Sequence, residues 1–349
     1  MINKRVGMQC AGGTLVSILL LLLAGCGSSA PPSSAGTSPT VATSSPKAAS
    51  TVASLTTVLS QVTAASTIQS VPANLEPTLQ RASVDNGYAI MARGCAAGPQ
   101  TTSIDVASCT YGDVTGKHTV VILGDSHAAM WLPAFDLIGK RAGWRVIDLN
   151  KVNCGAADIE YFLQTANRPY PECDTWHSWA IGEINKLDPS LVVLTSHVSK
   201  GISVPAPLSA ATWTSGLDKT LGLISSPGTK KVILGDAPYL TAVTAGGGTT
   251  PQAPANCVAA HEGSVQSCSV PVGDAVSGGY HTAEVTAAQS AGVPYIDVVS
   301  WFCSTECTAI VGNKLVYSDL YHITKTYAEY LSGVLGDSVQ TEMTGSSAR

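Results

Sequence analysis

Five short aliphatic runs constrain this chain more than any other feature: Thr119–Leu123, Trp144–Leu149, Leu191–Thr195, Lys231–Leu234 and Pro294–Val299. Between them lie stretches with helical spacing, near Ala128–Ala142, Thr175–Leu187, Ala210–Ser225 and Thr282–Ala291, and a last helix is expected from about Lys325 to Leu335. Strands that are apolar on both faces must be covered on both faces. Continuous runs, each followed by a helix, therefore predict an α/β fold around a buried parallel sheet. In open sheets of this kind ligands bind beyond the carboxyl ends of the strands, so functional residues are expected just after the runs. Val121-Ile122-Leu123-Gly124-Asp125 is echoed by Val232-Ile233-Leu234-Gly235-Asp236, which reads as two similar strand ends of one sheet.

The amino terminus sets a compartment. Lys4 and Arg5 precede an apolar core, Leu15–Ala24, that is shorter than the ~20 residues of a transmembrane helix and fits an export signal. It ends in Leu23-Ala24-Gly25-Cys26, which resembles a bacterial lipobox. That resemblance implies a signal peptide over 1–25, a diacylated Cys26, and anchoring of the protein to the outside of the cell membrane. Two acyl chains make a stable anchor where one is marginal. From Cys26 to about Ser70 the chain is Ser-, Thr-, Ala- and Pro-rich with Lys47 its only charge, so 26–70 is expected to be a low-complexity tether, with some order over Val52–Ile68. A folded domain is expected over 71–340, followed by a disordered tail, 341–349. Only 12% of residues are charged and the formal net charge is −5, which opposes a nucleic-acid partner.

Ten cysteines also suit an oxidising compartment. Cys10 would leave with the signal and Cys26 would carry lipid. Eight others allow 105 pairings. Sequence neighbours suggest Cys95–Cys109, Cys154–Cys173, Cys257–Cys268 and Cys303–Cys307. A metal cluster is the competing reading, but no Cys-x-x-Cys spacing occurs and no metal is expected.

After the first run the chain reads Gly124-Asp125-Ser126-His127. A Ser at the start of a helix lies beside backbone N–H groups that favour a developing oxyanion; Asp125 or Ser126 could equally just cap the helix. Near the far end, Asp319-Leu320-Tyr321-His322 precedes the last helix. His322 there could act as general base for Ser126, with Asp319 orienting it. A second pair, Asp174 and His177, reads as a helix start beside Cys173. His118, His177, His261 and His281 are expected to be surface or structural residues.

Gly-Asp-Ser-His after the first strand and Asp-x-x-His before the last helix resemble the SGNH (GDSL-like) hydrolases. The similarity is closest to the extracytoplasmic SGNH domain fused to membrane acyltransferases that O-acetylate envelope glycans, and it spans about Val71–Leu335, including Asn74-Leu75-Glu76-Pro77. It implies a flavodoxin-like three-layer α/β/α sandwich with a mostly parallel five-stranded sheet, and a triad of Ser126, Asp319 and His322. It also implies an oxyanion hole of Ser126 and Gly155. The family's third donor, an Asn after the third strand, is missing from Thr195-Ser196-His197-Val198, which leaves Ser196 or His197 as substitutes. The chemistry implied is two-step acyl transfer on acetyl or similar esters of envelope glycans or small esters, without a cofactor, with a membrane acyltransferase as a partner. The stretch from Ala237 to about Gly279 could cover the crevice or simply decorate the surface. Two rival readings are a non-catalytic glycan-binding module with a degenerate crevice, and a metallophosphoesterase using Asp125 and His127, for which the other ligand motifs are missing.

Overall fold

A computed structural model describes residues 52–197, 208–240 and 252–344; the signal, Cys26 and most of the tether lie outside the described residues. The central sheet contains β1 (Thr110–Gly112), β2 (His118–Gly124), β3 (Trp144–Asn150), β4 (Leu191–Thr195), β5 (Lys230–Leu234) and β6 (Tyr295–Ile296). Their order is β1-β3-β2-β4-β5-β6, and all neighbours are parallel except β1 against β3. The five expected strands are present. The sixth, β1, is a three-residue antiparallel edge whose residues are only partly buried, too short to carry an apolar signature.

Alternation along β2 explains why both faces are covered. Val120 and Ile122 enter one core, Val121 and Leu123 the other, and all four are buried. The first core lies under α2 (Ser126–Ala142), the second under α3 (Pro171–Leu187), α4 (Ala210–Leu223) and α5 (Gly278–Ala291). The chain closes with α6 (Lys325–Thr344) on the α2 side. This is a three-layer α/β/α arrangement with a mostly parallel sheet. Fully buried Trp131 belongs to one core, Trp176 and Trp213 to the other.

Two boundaries differ from expectation. β6 stops at Ile296 because the Asp297 carboxylate accepts the Val299 N–H and turns the chain into the helical turn Val299–Trp301. Helix α6 continues to Thr344, so positions 341–344 are helical and not part of a tail. Val339 is buried, and Lys230 Nζ donates to the carbonyls of Glu342 and Met343, where the helix has unpaired acceptors.

Within the expected tether, order lies in the Val52–Ile68 stretch where some was expected. Helix α1 (Leu55–Ala65) is capped by Ser54 and buries Val58, Val62 and Ala65 in the first core. Its polar composition hides a spaced apolar stripe that needs a partner surface to become stable. The following arm is tied down by main-chain bonds: Val265 N–H to Gln69 O and Leu315 N–H to Glu76 O. Gln266 Nε2 donates to the carbonyls of Ala65 and Ile68. Much of the segment Pro254–Cys268 thus packs on the arm and the first core.

All four neighbour pairings are present as disulfides: Cys95–Cys109, Cys154–Cys173, Cys257–Cys268 and Cys303–Cys307. Short loops of this size contribute about 2–4 kcal/mol each in the loop-entropy account. Cys257–Cys268 fixes the segment that holds the arm. Cys154–Cys173 fixes the loop after β3 to the first turn of α3, which matters for the site.

Candidate active site

At the end of β2 the chain must turn sharply beside β4. A Cβ on Gly124 would lie 1.8 Å from the Thr195 carbonyl oxygen, so only glycine fits. Asp125 follows as the N-cap of α2 and accepts the His127 N–H at 2.8 Å. The same buried carboxylate accepts the His197 N–H at 3.0–3.1 Å, which ties the ends of β2 and β4 together. Capping is therefore done by Asp125, and the Ser126 hydroxyl is left for another partner.

That partner is His322, whose Nε2 lies 2.8 Å from Ser126 Oγ. Its Nδ1 lies 2.9 and 3.0 Å from the two oxygens of Asp319. Asp319 also accepts the N–H groups of Tyr321 and His322, which fixes the carboxylate in a tight turn before α6. With Asp319 on Nδ1, the neutral ring holds its proton there and offers Nε2 to the Ser hydroxyl. Burial opposes a charge on His322, but the hydrogen bond and charge of Asp319 outweigh it and hold its pKa above the usual value. Burial likewise raises the Asp319 pKa, and His322 more than reverses this, leaving it below the usual carboxylate value. The three residues predicted from opposite ends of the domain form one hydrogen-bonded line.

Gly155 lies in the loop after β3. A Cβ there would meet the Tyr161 hydroxyl at 2.8 Å and Ser196 Oγ at 3.1 Å. The peptide that follows is clamped at both ends: Ala156 N–H donates to Ser196 Oγ at 2.6 Å, and His177 Nε2 donates to the Gly155 carbonyl at 2.7 Å. His177 thus has a structural task, holding the loop that the Cys154–Cys173 bond also holds. Burial lowers its pKa, which suits a neutral donor. The Gly155 N–H faces the Tyr161 hydroxyl, which itself donates to the Ala157 carbonyl.

His197 is placed differently from a free donor. Its Nδ1 lies 3.0 Å from His127 Nε2, and His127 Nδ1 lies 2.6 Å from Asp236 Oδ1. Asp236 and His197 sit on opposite edges of one imidazole, and the three form a hydrogen-bonded chain. Burial first, then His322, hold the His127 pKa down at about 3, and burial with both neighbouring imidazoles lowers His197. The chain lies against the site, with the His127 and His322 rings 5.0 Å apart. Asp236, the end of the echoed strand motif, was not foreseen here. Its only signal was that echo.

Tyr239 and Tyr321 flank His197, with ring centroids 5.0 and 5.3 Å from it, and Tyr321 is 41% exposed. Of the remaining histidines, His118 faces Ser190 at the opposite end of β2 and His281 packs edge-on to Tyr295.

An α/β sandwich bearing a Ser–His–Asp line at the carboxyl edge of its sheet has the layout of a serine-hydrolase class of fold. More narrowly, residues 94–337 match the model described as SGNH domain (fused to AT3 domains), more than half of the chain, and the protein belongs to that family. The fold is shared with the periplasmic domain of a lipopolysaccharide acetyltransferase of Salmonella ser. Paratyphi A, at 18% identity and TM-score 0.54, covering 74% of this chain and 98% of that one. A putative acylhydrolase from Bacteroides fragilis matches at 14% identity and TM-score 0.39, over 67% and 91% of the two chains. A carbohydrate acetylesterase from Sinorhizobium meliloti matches at 12% identity and TM-score 0.40, over 64% and 99%. No curated protein sequence matches this chain. Among the described residues no helix is long and apolar enough to cross a membrane.

Proposed function

We propose that this chain is an extracytoplasmic, lipid-anchored serine esterase or O-acyltransferase that acts on acetyl or similar acyl esters of envelope glycans. The observation that carries the reading is the unbroken line Ser126 Oγ–His322 Nε2–Asp319, with bonds of 2.8 and 2.9 Å. His322 takes the Ser126 proton as Oγ attacks the ester carbonyl. The oxyanion is received by the N–H groups of Ser126 and Gly155, with the Ser196 hydroxyl as the third donor in preference to His197, whose Nδ1 is engaged by His127. His322 then returns the proton to the leaving oxygen, and an acyl-Ser126 ester remains. Water or a sugar hydroxyl, deprotonated by His322, attacks that ester and frees Ser126.

A fluorophosphonate probe tests the reading. Phosphonylation of Ser126 Oγ, with loss of fluoride, is expected as a single adduct on the peptide containing Ser126, and none on Ser126→Ala. A wild-type protein that stays unlabelled and cleaves no ester would favour the glycan-binding module.

Gly155→Ala is expected to lower kcat about 100-fold or more, the usual cost of losing one oxyanion donor. The added methyl cannot enter without displacing Tyr161 or Ser196, so the N–H moves off the reacting oxygen. Turnover of an aryl acetate measures this, and a change of less than threefold would remove Gly155 from the oxyanion hole.

A further inference from the structure

The arm that precedes the sheet reaches the nucleophile. Asn86, Gly87, Tyr88 and Met130 close a cavity of about 120 Å³ against Ser126, Asp319 and His322. Met130 lies one turn beyond Ser126 on α2 and is 1% exposed. Gly87 lies directly on that helix, where a Cβ would come within 2.0 Å of the Ala129 carbonyl oxygen. The contact follows from sequence. Pro133 has no N–H to give the carbonyl four residues earlier, so Ala129 O is free of its helical bond and glycine can approach it. Tyr88 keeps its hydroxyl proton, because burial and the carboxylates of Asp125, Asp148 and Asp319 all oppose ionisation.

The cavity and the oxyanion donors lie on different sides of Ser126. Met130 belongs to the core on the α2 face of the sheet, whereas Ala156, next to Gly155, belongs to the opposite core. A carbonyl oxygen held at Gly155 therefore leaves its carbon substituent free to enter the cavity. An apolar cavity of about 150 Å³ takes up benzene, so 120 Å³ suits a group somewhat smaller than a six-carbon ring. That admits a two- to four-carbon acyl group and excludes a sugar ring, which is left to the open side of the crevice beside exposed Tyr321.

Resting on the esterase reading, we propose that this cavity is the acyl pocket, that it restricts the enzyme to short acyl groups, and that Met130 and the Asn86–Tyr88 arm set the limit. The measurement is kcat/KM for p-nitrophenyl acetate, butyrate and hexanoate with the wild type, Met130→Ala and Tyr88→Ala. The wild type is expected to lose at least tenfold between acetate and hexanoate. Each variant is expected to raise the hexanoate-to-acetate ratio at least tenfold, Met130→Ala by deepening the floor and Tyr88→Ala by opening the wall. Two variants on separate segments guard against a folding defect in one. Acetate turnover that depends on Ser126, with a hexanoate-to-acetate ratio unchanged in both variants, would overturn the pocket and leave the esterase reading in place. Absence of Ser126-dependent turnover with every ester would overturn both.

Discussion

Replacing Ser126 with alanine is expected to lower kcat/KM for an aryl acetate by at least roughly ten-thousand-fold, to the residue of rate that an oxyanion hole and binding alone can supply. The size follows from what the hydroxyl does. In the proposed mechanism it is the atom that forms the acyl-enzyme, and its side-chain bond runs to His322 Nε2. Stability should hardly change. Asp125, not Ser126, caps α2, and alanine is a better helix former than serine, so the helix start survives the exchange. A thermal midpoint within a degree or two of wild type, with the activity gone, separates loss of chemistry from loss of fold. Retention of a tenth of the wild-type rate would show that Ser126 is not the nucleophile.

The parts of this protein that were legible in sequence are those where one physical requirement dominates. Strands buried on both faces must be aliphatic throughout, so β2, β4 and β5 could be found from single runs. Pairing each cysteine with its sequence neighbour selected one connectivity out of 105, and all four pairs appear. Ser126 and His322, 196 positions apart, could be paired only by combining strand-end logic with a family resemblance. What was hidden needed a partner to acquire meaning. Residues Leu55–Ala65 show only loosely helical spacing in sequence, and the burial of Val58 and Val62 in the core is what makes them a helix. Gly87 and Pro133 look like a turn residue and a misplaced helix breaker until the arm packs on the Ala129 carbonyl. His127 looks like a first-turn residue, yet it links Asp236 and His197 across three strand ends.

The hidden contacts also change how the site is supported. The loop bearing Gly155 is held by a disulfide, by His177 on its carbonyl and by Ser196 on the next N–H. The Ser126 turn is held by Asp125, which reaches β4. Rigid placement of this kind matters because an oxyanion donor stabilises charge only where the charge develops. At the end of β4, Ser196 holds the loop after β3 through the Ala156 N–H, and His197 joins the imidazole chain.

Asp319→Asn should produce the second large effect, a loss of about ten-thousand-fold near neutral pH. Asp319 accepts the Nδ1–H of His322 through a carboxylate that the Tyr321 and His322 N–H groups hold in place. An amide in the same pocket can turn its NH₂ toward Nδ1, which makes Nδ1 the acceptor and moves the ring proton to Nε2, where it blocks transfer from Ser126. The pH profile carries a separate signature. In the wild type His322 titrates above its usual value, and catalysis needs the neutral ring, so kcat/KM rises with pH through that raised pKa and then levels off. Without the carboxylate, burial is left as the main influence and it favours the neutral ring. The acid limb of the residual activity should therefore shift to lower pH, even though the plateau has fallen. Rates followed from about pH 5 to 9 measure both effects. A variant with a depressed plateau and an unmoved acid limb would place the titrating group elsewhere, because a neutral amide cannot supply the charge that raises the His322 pKa.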